Sequence, residues 1–157
     1  MRYFETLSLV LAAGSFFPHA PKSLQPPSLP VRQFVSDMRT KNLDDVLNLY
    51  APDAVFVDPD GNKFATPDEL RKLYEQTFAT YDSDIEFTRT SLKLKGDTSR
   101  GSVATETDNY RENLLTRDTK QMLTVCGTAT SSWTKQDDGA WLIKSQVWTS
   151  KPCPAQP

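Results

Sequence analysis

Residues 66–94 read TPDELRKLYEQTFATYDSDIEFTRTSLKL, and their hydrophobic period changes at Tyr81. Up to that point Leu70, Leu73, Tyr74, Thr77 and Phe78 recur at helical spacing and share one face. Thr66-Pro67-Asp68-Glu69 opens this helix as a capping box. The Thr66 side chain takes the Glu69 amide, the Glu69 carboxylate reaches back to the Thr66 amide, and Pro67 fills the first helical position, where no donor is needed. Beyond Tyr81 the period is two. Ile85 and Phe87 fall on odd positions, Leu92 and Leu94 on even ones, so a bulge is expected between the pairs. One helix therefore runs directly into one long strand.

Working outward, Val31, Phe34, Val35 and Met38 predict a helix with a single buried face. Leu43, Val46, Leu47 and Tyr50 predict a second, with Asn42 as its N-cap and Asp44 and Asp45 in the first turn. Residues 54–57 form a short strand closed by the turn Asp58-Pro59-Asp60-Gly61. Downstream, strands are expected near residues 101–115, 121–134 and 141–149, separated by turns near 95–97, 116–119 and 135–139. No proline interrupts residues 68–151, which suits a sheet whose backbone donors are all in use. The fold class is α+β, a cone-shaped curved antiparallel sheet packed on three N-terminal helices, with the default binding pocket inside the cone.

The ends differ from this unit. Residues 7–17, LSLVLAAGSFF, are too short a run to cross a bilayer and read as part of a signal peptide over residues 1–20, so the chain is expected to be exported. A proline-rich linker over 21–30 leads to the domain at 31–150, and a tail follows at 151–157. No membrane span is expected in the mature chain. Of 157 residues, 18 are Lys or Arg and 20 are Asp or Glu, so the net charge is −2 and nothing marks a nucleic-acid partner. The single histidine, His19, lies outside the domain. Histidine-activated nucleophiles and histidine-ligated zinc are thereby excluded from it, no cofactor or metal is expected, and proton transfer falls to carboxylates, tyrosines or lysines.

Asp58 is the candidate catalytic group. At the mouth of an apolar cone its pKa would be raised, and it could shuttle a proton; the other reading is that it caps its own turn. Asp58, Asp60, Asn62 and Glu69 imitate the spacing of a calcium loop, but Lys63 stands where the loop needs glycine. Glu106, Asp108 and Tyr110 share one face of a strand whose other face is scarcely more apolar, so its direction stays open. Tyr50 and Tyr74 are expected in the core with their hydroxyls at the cavity rim, and Gln146 and Trp148 share a face that lines the pocket. Trp141, Ile143 and Val147 then fall on the opposite face, which predicts a homodimer through the convex side of the sheet. In the closing hairpin, Cys126 lies opposite roughly Trp148, with Cys153 just beyond. The two thiols either form a disulfide or stand unrelated.

Two segments resemble the nuclear-transport-factor-2-like superfamily in its SnoaL-like and ketosteroid-isomerase-like branches. They are residues 48–61, NLYAPDAVFVDPDG, and residues 133–143, WTKQDDGAWLI. The resemblance spans roughly residues 31–150 and implies that fold. In the isomerase branch the aspartate before the proline of the DP motif is the general base, which matches Asp58. The tyrosine of the oxyanion hole falls on Phe34 and its acid near Ser131, so the base position is kept and the strong enolate donors are not. A superfamily of isomerases, cyclases, transport adaptors and oligomerisation modules leaves three readings. These are a pocket for a small, mostly apolar molecule, an isomerase- or cyclase-type enzyme using Asp58, and an interaction module with a filled cavity.

Overall fold

The computed structural model describes residues 29–96 and 101–155; the expected signal peptide and nearly all of the linker lie outside them. Three helices, α1 (Val31–Thr40), α2 (Leu43–Asn48) and α3 (Pro67–Thr80), accompany six strands. The strands are β1 (Tyr50–Val57), β2 (Lys63–Phe64), β3 (Tyr81–Lys95), β4 (Val103–Thr116), β5 (Met122–Lys135) and β6 (Trp141–Lys151). They form one curved, unclosed sheet in the order β2-β1-β6-β5-β4-β3. The architecture is the expected α+β cone. No described helix is long and apolar enough to cross a membrane.

The capping box at the head of α3 is complete: the Glu69 amide donates to Thr66 Oγ1 at 3.2 Å, and the Thr66 amide to Glu69 Oε2 at 3.1 Å. α3 buries Leu70, Tyr74 and Phe78. α1 buries Phe34 and Met38, and its C-terminal end is tied to β3 by ion pairs of Arg39 with Asp84 and Lys41 with Asp82. The expected bulge in β3 falls at Thr90, since Arg89 pairs with Asp108 and Ser91 with Thr107. It brings Phe87, Leu92 and Leu94 against the same core as the fully buried Ile85.

Three readings are corrected. α2 stops at Asn48, and Tyr50, read as part of its face, begins β1, where it pairs with Ile143. The sheet is not wholly antiparallel, because β1 runs parallel to β6 with Val55–Val57 beside Ser145–Val147. The third correction concerns β6. Ser132 pairs with Ser145 but Trp133 with Ile143, so Lys144 is an extra residue that switches the inward face. Trp141 and Ile143 are buried in the core along with Trp148. Because Lys135 faces Trp141 and Lys144 is then one residue extra, Cys126 lies opposite Lys151, and it is Ala129 that faces Trp148. The outer face of β6 keeps only Leu142 and Val147, beside neighbours such as Thr128 and Thr130 on β5. The convex face from which a dimer was inferred therefore carries Leu142 and Val147 beside threonines, and not Trp141 or Ile143.

Candidate functional site

β4 alternates between half-buried and buried residues from Val103 to Tyr110, and the buried set is Ala104, Glu106, Asp108 and Tyr110. The direction left open by the sequence is thus inward for the acids. Threonine and asparagine on the outer face tolerate half-exposure, whereas Ala104 and Tyr110 supply the apolar surface that draws this face into the core. Between α1 and the sheet lies a cavity of about 10 Å³, room for about one water. Phe34, Phe87 and Ile143 wall it, and Asp108, Ser131 and Gln146 give it its polar groups.

Asp108 is 5% exposed and receives no hydrogen bond from the described residues. Burial first, and then the neighbouring Glu106, push its carboxyl up to about 6, against a smaller opposing pull from Arg89. Arg89 Nε donates to Glu106 Oε1, while Glu106 Oε2 is buried with no partner. Farther along β4, Glu112 accepts from Ser83, and burial raises its pKa despite that bond. Isolated buried polar groups cost free energy, so such a concentration of them inside a small fold needs a reason.

A chain of hydrogen bonds reaches the cavity from the core. Tyr50 donates to Gln146 Oε1 at 2.6 Å, and Gln146 Nε2 donates to Ser131 Oγ at 3.1 Å. With its proton so used, Tyr50 accepts from Tyr74, oxygen to oxygen 2.6 Å. Burial is the largest cause and raises both phenols well above their ordinary range; the contact between them raises Tyr50 further and pulls Tyr74 down by less than burial lifts it, so both stay neutral. Tyr50 and Tyr74 thus sit behind Gln146 rather than on the rim. Tyr110 and Trp148 are buried against one another with ring centroids 4.6 Å apart and do not line the cavity. The indole N–H groups of Trp148 and of Trp133, itself a wall residue, are buried without a partner.

Asp58 is elsewhere. Its Oδ1 accepts from the amides of Asp60 at 2.9 Å and Asn62 at 2.8 Å, and its Oδ2 from Asn62 Nδ2 at 2.7 Å. Slight burial raises its pKa, but these bonds outweigh that and hold it below the usual carboxylate value. The raised pKa expected of Asp58 is therefore corrected, and the residue is not among those lining the cavity. The cause is local: a carboxylate with three donors at hydrogen-bond distance is stabilised in its charged form. The carboxyl that lines the cavity is Asp108. The same bonds occupy the first residue of the calcium-like spacing, and Glu69 is spent on the capping box. Among the described residues no group of three or more His, Cys, Asp or Glu side chains is placed to hold a metal ion.

Cys126 and Cys153 are joined in a disulfide with their Cα atoms 5.1 Å apart, which fastens the start of the tail to β5. That answers the alternative the sequence left open.

The profile of the SnoaL-like domain matches residues 31–142, most of the chain and nearly all of the folded unit. The chain belongs to the SnoaL-like domain family. No curated protein matches it. Among solved structures, this SnoaL-like chain resembles a conserved protein from Planctomyces limnophilus, at 15% identity over 78% of this chain and 91% of that one, with a TM-score of 0.69. It also resembles a ketosteroid isomerase-like protein from Erwinia carotovora, at 15% identity over 78% and 92% with a TM-score of 0.67. An NTF2-like superfamily protein from Salmonella enterica matches at 14% identity over 80% and 88%, with a TM-score of 0.66. At these identities the likeness establishes the fold.

Phe87, Trp133 and Ile143 of the SnoaL-like domain also wall the cavity, beyond Phe34, which the resemblance had set at the oxyanion-hole position. Phe34 and Phe87 carried a signal, since each sits on the inward side of its own periodic element. Ile143 carried none, because the Lys144 bulge that turns it inward has no mark of its own in the sequence.

Proposed function

We propose that this SnoaL-like domain holds a small, mostly apolar molecule between α1 and the sheet, with the molecule's polar end on Asp108. The observation that carries the reading is a buried, unbonded carboxyl facing a cavity walled by Phe34, Phe87 and Ile143. Apolar walls with a few convergent polar groups and a shifted pKa are what a ligand site requires. At about 10 Å³ the cavity has room for little more than a water, so a larger occupant enters by displacing the Val31–Phe34 side of α1. The first turn of α1 carries no side-chain cap and no acidic residue to hold it.

The same small volume favours a second reading, an interaction module whose interior is filled by its own side chains. An isomerase- or cyclase-type enzyme with Asp58 as general base is the weakest of the three, because that carboxylate is spent on its turn. Export of the chain is supported by the Cys126–Cys153 bond, since disulfides persist in oxidising compartments. Self-association through the outer sheet face now rests on Leu142 and Val147, and sedimentation at tens of micromolar decides it; a monomer ends that proposal.

Native mass spectrometry of the chain purified from its natural source tests the pocket. A co-purified small molecule, released when Asp108→Asn is prepared in the same way, supports it. A bare chain that also takes up none of a panel of small aromatic compounds leaves the filled-interior reading in its place.

A further inference from the structure

We propose, building on the pocket reading above, that the polar end of the occupant is a protonated amine, so that the site takes a small organic cation on an aryl or short alkyl body. Two carboxyls, Glu106 and Asp108, point into the interior from alternate positions of β4. Among the described residues a single guanidinium answers them. Arg89 is committed to Glu106 and its side chain is 44% exposed, so the interior lacks one positive charge. Among the described residues Glu106 Oε2 stays buried without a partner, and none donates a hydrogen bond to Asp108. A buried carboxylate is neutralised either by a proton or by a cation, and at neutral pH, above about 6, the proton has mostly left Asp108.

The remaining groups around Asp108 suit the same occupant. No charged side chain reaches the cavity from β5, β6 or α1, which present Ser131, Gln146 and Phe34. Ser131 Oγ can accept one ammonium proton while Asp108 takes another. Phe34 and Phe87, with ring centroids 6.1 Å apart, offer aromatic surface that attracts a cation as well as a hydrocarbon body. A ligand carboxylate or phosphate would meet two acids at close range and is repelled. A neutral alcohol could donate to Asp108 but would leave its charge unbalanced.

The probes are benzylamine, benzyl alcohol and toluene, which share a ring and differ in the group carried to Asp108. Dissociation constants for the full chain are measured at neutral pH by ligand-observed NMR. The amine should bind about tenfold or more tighter than the alcohol, the scale of a charge-assisted hydrogen bond over a neutral one. Asp108→Asn should abolish that preference and leave toluene unchanged, whereas Ser131→Ala should keep most of it. Equal affinities for amine and alcohol, or a preference that survives in Asp108→Asn, overturn the cation proposal while leaving the pocket standing. Failure of all three probes to bind overturns the pocket and the cation proposal together.

Discussion

Asp58 and Asp108 are the same side chain put to opposite uses, and pH separates them. Asp58 has a lowered pKa, so its stabilising contribution is present above the ordinary value of 3.8 and lost as pH falls through the folded value. Replacing it by alanine should cost about 1 kcal/mol at pH 7, the net worth of the turn bonds, and nothing in strong acid. Asp108 has a raised pKa. The unfolded chain loses this proton near 3.8 and the folded chain near 6, so stability from this group is full below the first value and declines as pH rises through the second. Asp108→Asn removes that decline and should raise stability at pH 7 by up to about 3 kcal/mol. Urea unfolding of wild type and both variants at pH 4 and pH 7 reads out the two signs. A less stable Asp108→Asn would mean that the carboxylate is already paired.

Among the elements, α3 was legible because its signal is local. Thr66, Pro67 and Glu69 act within one turn, and the structure reproduces each bond. Thr66→Ala should lower stability by about 1 kcal/mol in thermal or urea unfolding. The facing of β4 was illegible for an equally physical reason: Glu106 and Asp108 on one side are no more apolar than Thr105 and Thr107 on the other, so burial follows from Tyr110, Ala104 and the neighbouring strands. β6 misled because one extra residue, Lys144, puts Ile143 and Trp148 on the same side. Gly127 gave no warning either. A Cβ there would lie 1.8 Å from the Thr149 carbonyl oxygen and 2.6 Å from the Tyr110 ring. Gly127→Ala should therefore force β5 and β6 apart and destabilise the domain by well over 2 kcal/mol, the range of severe overpacking. A variant of wild-type stability would contradict the close strand approach.

At the scale of the molecule, the cone and its helix-then-sheet order were readable from periodicity and from two family-like segments. The small volume of its interior was not, because cavity volume depends on side chains from α1, β3, β4, β5 and β6 at once. The candidate acid changed with it, from Asp58, which is bonded within its own turn, to Asp108, which lines the cavity. The Cys126–Cys153 bond, 27 residues apart in sequence, ties the tail to β5 and should contribute about 3 kcal/mol. Cys153→Ser should lose roughly that much, and the intact mass of the native protein should lie about 2 Da below its reduced form.

The most direct test is the titration of the Asp108 carboxyl by carbon-detected NMR, assigned by its absence in Asp108→Asn. A midpoint near 6 places an unbonded acid inside the cone as described. A midpoint at the ordinary aspartate value would put that carboxyl in water and remove the basis for a site there.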